Sequence, residues 1–89
     1  MTEKKLLVEN KNGVHARPSA SIVEITNKFS SEVTIKTENG EADAKSIMAI
    51  LMLRILSGTE VLVVANGPDE TEVLDALEKL FKDKFGFED

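Results

Sequence analysis

The sequence predicts a single α+β domain with element order β-α-β-β-α-β-α, one sheet, and helices to cover one of its faces. Three observations point there. Apolar residues recur by turns with a strand-like and a helical period. Breakers containing glycine, asparagine or proline separate these segments. The chain's 89 residues make one domain with a thin core.

The elements follow in order. Residues 4–9 form a β-type run built on Leu6, Leu7 and Val8, ended by Asn10, Lys11, Asn12 and Gly13. From residue 16 to 29 the period becomes helical. Ile22, Ile25, Thr26 and Phe29 share a face with Val23 beside it, and Pro18 sits in the first turn, where a missing N–H costs nothing. Val33, Thr34 and Ile35 read as a strand. Asn39 and Gly40 suit the two positive-φ positions of a type I′ turn, before a short return strand over residues 41–44. Ser46 is a good N-cap for a second helix over residues 47–56, which Gly58 should end. The continuous apolar run 61–65 reads as a central strand. Asp69 and Glu72 look like a capping box for a last amphipathic helix carrying Val73, Leu74, Leu77, Leu80, Phe81 and Phe85.

Composition excludes several functions. With no cysteine there is no disulfide, thiol nucleophile or iron–sulfur site, and one histidine cannot build a multi-histidine metal site. A small ferredoxin-like metal or ligand module is disfavoured for the same reason. The net charge of −5 disfavours nucleic acid as a partner. It is unevenly placed: residues 1–58 are net +1 and residues 59–89 net −6. The start of the chain lacks a signal-peptide apolar core, and the longest apolar run, 47–53, is far below the ~20 residues of a membrane span. A cytoplasmic protein with no membrane insertion is expected.

The richest short stretch is Asn12-Gly13-Val14-His15-Ala16-Arg17-Pro18. It places the only histidine immediately before a helix start. Backbone N–H groups there lack intrahelical acceptors and carry partial positive charge. An anion at His15 would meet these donors, and Arg17 adds a guanidinium suited to phosphate oxygens. An uncharged imidazole nitrogen is a nucleophile, so a phosphohistidine is one chemistry open to the site. On residue chemistry alone, the same pattern favours a solvated loop histidine, with Arg17 two positions later by chance.

The stretch from Gly13 to Pro18 resembles the active-site signature of the HPr family, the histidine-containing phosphocarriers of the sugar phosphotransferase system. Lys45-Ser46-Ile47-Met48 resembles the family's second signature, around the regulatory serine of Gram-positive members. Length, element order and both motif positions match over essentially the whole chain. The resemblance implies an open-faced β-sandwich, with a four-stranded antiparallel sheet and three helices on one face. It also implies a carrier that is not itself an enzyme and needs no cofactor or metal. Enzyme I would phosphorylate His15, with Arg17 stabilising the phosphate, and the group would pass to IIA domains of sugar permeases. Ser46 would be the target of a serine kinase/phosphatase serving a catabolite regulator. Ala16, Ala20, Ile47, Met48 and Leu51 would form the shared docking surface of a monomer. The alternative is a purely regulatory module of the same fold, acting through Ser46 and the apolar 47–53 helix.

That helix is apolar all round, so about half of it must face outward. Either partners cover it, or the Phe85-Gly86-Phe87 tail or a second copy does. Four residues depart from the family pattern. Ser19 stands where alanine is expected, Ala49 and Arg54 where glycine is common, and Met52 where a polar residue is common. Arginine costs ~1 kcal/mol or more in a left-handed helix cap, so the second helix is expected to run on towards Gly58.

Overall fold

The structure is a computed structural model that describes residues 1–86. Its elements are β1 (Thr2–Leu7), α1 (Ala16–Thr26), β2 (Glu32–Thr37), β3 (Gly40–Asp43), α2 (Ile47–Met52), β4 (Glu60–Asn66) and α3 (Glu70–Lys82), followed by a short 3-10 turn over Lys84–Gly86. The strands form one antiparallel sheet in the order β1-β4-β2-β3. β4 pairs on both sides, as its apolar run predicts. Val61, Val63 and Ala65 are buried on the helix side, whereas Leu62 and Val64 are half-buried on the other. With three helices on one face and the other face open, this is the expected open-faced α+β sandwich.

The core fills the space between sheet and helices: Leu6, Val8, Val33, Ile35 and the β4 side chains below, with Ile22, Ile50, Val73, Leu74, Leu77 and Phe81 above. Phe85 joins this core, its ring 4.8 Å from that of Phe81. It therefore does not shield α2, and Phe87 lies outside the described residues.

Three local expectations fail, each because a tertiary partner outweighs the local preference. First, α2 ends at Met52. Arg54 adopts φ 50° despite its Cβ. Leu53 is buried, and the Asn39 side-chain amide donates to its carbonyl at 2.8 Å. Second, Asn39 and Gly40 do not form the type I′ turn. Thr37 pairs with Gly40, so the loop residues are Glu38 and Asn39, and of Asn39 and Gly40 only the glycine has positive φ. Third, Asp69 occupies the N-cap of α3 without capping it. Its carboxylate instead accepts from the Ser30 and Ser31 N–H groups, at 2.8 and 2.9 Å, and from the Ser31 hydroxyl.

These contacts tie the α1–β2 loop to the start of α3, and a second clasp ties β1 to the same helix. Glu70 accepts from the Thr2 hydroxyl and the Gly67 N–H and pairs with the terminal ammonium of Met1. Lys4 reaches Asp75 and Glu78 at 2.8 and 3.1 Å. The Ser31 hydroxyl, then the Ser30 N–H, hold Asp69 below the usual carboxylate range. The Thr2 hydroxyl, then the Gly67 N–H, bring Glu70 down to about 2 from an ordinary 4.5.

Both carboxylates titrate lower in the fold than in the unfolded chain. For Glu70 the stabilisation is therefore complete above about pH 4.5 and is lost as the pH falls towards about 2, and Asp69 acts in the same direction. Urea midpoints should fall through that window, and Glu70→Gln should narrow its gap from wild type as the pH drops. Parallel curves for the two proteins would show that Glu70 is not part of the pH dependence.

Candidate functional site

His15 is the N-cap residue of α1, with extended backbone (φ −95°, ψ −162°), and is half-buried. Its carbonyl accepts from the Ser19 N–H at 3.0 Å, while its side chain makes no hydrogen bond to the first amides of the helix. α1 has no acidic residue in its first turn, so the positive end of its dipole is not offset there. Arg17, in that turn, is exposed, as are Ala16 and Ala20. Pro18 and Ser19 are buried beneath them.

The loop before His15 is fixed by groups that motif reading passed over. Asn10, fully buried, donates through Nδ2 to the Gly13 carbonyl, and the Gly13 N–H donates to the Asn10 carbonyl at 3.2 Å. The buried Val14 donates its N–H to the Ile55 carbonyl at 2.9 Å. Gly13 has φ 71°, and a Cβ there would stand 2.5 Å from the Ile55 oxygen. The glycine of the signature thus has a physical reason, a backbone-to-backbone contact that no side chain permits. Its signal in the sequence was the glycine itself, without the partner.

Ser46 is the N-cap of α2 as expected, and its hydroxyl accepts from the Ala49 N–H at 3.2 Å. The Ser46 N–H donates to the Asp43 carbonyl at 3.0 Å. Neighbouring Lys45 turns away, donating to the Phe29 carbonyl at 3.0 Å beyond the end of α1. The buried Thr26 hydroxyl donates to the Ala44 carbonyl at 2.8 Å. These two bonds register the α2 entry against α1, and the two helices pack on each other.

The outward apolar surface expected of α2 is present. Met48 is 69% exposed, Met52 77% and Ile47 39%. Leu51 is half-buried and Ile50 wholly buried. Leu56, which the sequence reading placed inside the helix, adds a further exposed apolar side chain beyond its end. Among the described residues no group of three His, Asp or Glu side chains could hold a metal, and no helix is long and apolar enough to cross a membrane.

The site thus combines a half-buried histidine at a helix N-terminus, an exposed arginine and an apolar surface on the adjacent helix of a small open-faced α+β domain. The family model described as "PTS HPr component phosphorylation site" matches residues 2–83. The chain is 41% identical to a phosphocarrier protein HPr of Xylella fastidiosa, over 96% of each chain. HPr-C-His from Thermoanaerobacter tengcongensis superposes with a TM-score of 0.94 at 42% identity, covering 99% of both chains. An HPr dimer from the same organism matches with a TM-score of 0.78 at 41% identity, over 98% of this chain and 100% of that one. The chain belongs to the HPr family of phosphotransferase-system phosphocarriers. Because solved relatives include a dimer, family membership does not support the monomer expected from the sequence.

Proposed function

We propose that this chain takes a phosphoryl group from phospho-enzyme I onto a ring nitrogen of His15 and hands it to IIA domains of sugar permeases. The observation that carries this reading is the placement of His15 as N-cap of an eleven-residue helix, half-exposed and held from below by the Val14 and Ile55 contact. In the transfer, the imidazole nitrogen bonds to phosphorus as the bond between phosphorus and the enzyme I donor group breaks, and the donor group leaves with the bonding electron pair. The first amides of α1 and the Arg17 guanidinium offset the charge of the transferred group. Ala16, Ala20, Ile47, Met48 and Leu51 dock the partners, a reading supported by the exposure of Ala16, Ala20, Ile47 and Met48 on two helices that pack on each other.

Incubation with a cognate enzyme I, magnesium and phosphoenolpyruvate should yield one acid-labile phosphoryl adduct by mass spectrometry. His15→Ala should abolish it. No adduct on the wild-type chain would favour the regulatory-module reading instead.

Ser46 serves a second, regulatory role as the target of a serine kinase/phosphatase read by a catabolite regulator. It is half-exposed, and a phosphoserine retains oxygen acceptors for the Ala49 N–H. Phosphorylation therefore changes charge and partner choice while the fold stays intact. The phosphorylated form should melt within about 5 °C of the unmodified one, and a far larger drop would mean that it acts by unfolding α2.

A further inference from the structure

Residues 53–58 lie between the His15 loop and the β2–β3 hairpin. On one side they form the floor of the loop: the Ile55 carbonyl takes the Val14 N–H at 2.9 Å, and Gly13 lies against Ile55, Leu56 and Ser57 backbone. Leu53 and Ile55 put their side chains into the core, and Arg54, Leu56 and Gly58 are exposed on the hairpin side. A cavity of about 540 Å³ opens there, walled by Thr37, Asn39, Arg54, Leu56 and Glu60 among others. From that side the Asn39 amide donates to the Leu53 carbonyl at 2.8 Å. This is one of the last carbonyls of α2, the kind a helix end leaves without an intrahelical donor. The next residue, Arg54, sits at φ 50°, a conformation that a residue with a Cβ adopts only when its surroundings impose it.

We infer that Asn39 is a positioning residue for His15. By holding the Leu53 carbonyl it imposes the left-handed turn at Arg54. That turn keeps the Ile55 carbonyl beneath the Val14 N–H, one residue before the histidine. The functional half of this inference rests on the phosphocarrier reading of His15, and the structural half does not.

Asn39→Asp keeps the side chain's shape and replaces the donor with an acceptor that repels the Leu53 carbonyl. Hydrogen exchange at the Val14 amide should rise about tenfold, while the Val63 amide in β4 keeps its wild-type rate. With phospho-enzyme I as donor, kcat for this chain should fall severalfold at unchanged KM, because the variant leaves Ala16 and Met48 untouched. Arg54→Gly, which suits a positive φ, should leave both readouts at wild-type values. Unchanged Val14 exchange in Asn39→Asp, or a rise matched at Val63, overturns the inference. Faster Val14 exchange with unchanged kcat overturns its functional half. A wild-type chain that accepts no phosphoryl group defeats the phosphocarrier reading, and Val14 exchange still decides the positioning.

Discussion

Replacing Gly13 with alanine is expected to destabilise the domain by about 3 kcal/mol and to slow phosphoryl acceptance as well. Two costs add. A residue with a Cβ at φ 71° loses ~1–2 kcal/mol. The new Cβ would also stand 2.5 Å from the Ile55 oxygen and 3.0 Å from the Ser57 nitrogen, both backbone atoms that cannot rotate away. Relief requires moving residues 55–57, which breaks the Val14 contact. Gly58 is the built-in comparison. It too has positive φ (85°), yet nothing lies within 4 Å of its absent Cβ, so Gly58→Ala should cost only ~1–2 kcal/mol. Urea unfolding of the two variants measures the difference. Equal losses would show that the close approach at Gly13 is easily relaxed.

Met48→Asp is expected to cut phosphoryl transfer from enzyme I by about 30- to 100-fold with stability changed by no more than about 0.5 kcal/mol. Met48 is far more exposed than Ile47 beside it, so its loss removes little from the core. Within an apolar contact, an unpaired carboxylate would lose its hydration without a partner. Leu51 is a poorer test residue, because it is half-buried and an aspartate there would also weaken α2. Transfer at the wild-type rate by a folded Met48→Asp protein would remove α2 from the docking surface.

Much of this molecule was legible in the chain. Element order and the central place of β4 followed from periodicity, because a half-buried strand or helix must repeat its apolar residues at its own geometric period. Ser46 was readable as an N-cap because capping is local: donor and acceptor lie three residues apart. The outward-facing apolar half of α2 was likewise inferred from a helix too apolar to bury entirely. His15 is different. Its residue chemistry favours a solvated loop, and only the resemblance to two family signatures points to the phosphocarrier role.

The misreadings share one cause. Asp69 has the composition of a cap, yet it bonds Ser30 and Ser31, 39 and 38 residues earlier in the chain. Arg54 has a poor propensity for the left-handed turn it makes, and Asn39, from a different hairpin, holds the carbonyl before it. Local preference is worth about 1 kcal/mol per residue, and two or three hydrogen bonds from distant residues outweigh it.

By itself, then, the sequence determined the order of elements, the apolar faces of α1 and α3, and the presence of two signature motifs at matching spacing. Those properties depend on side chains close together along the chain. Only the tertiary structure decided where α2 stops, which residues clasp α3 to the rest, and what holds the His15 loop in place. Each depends on a backbone or side-chain group from a separate element, and no local pattern encodes which partner will meet it.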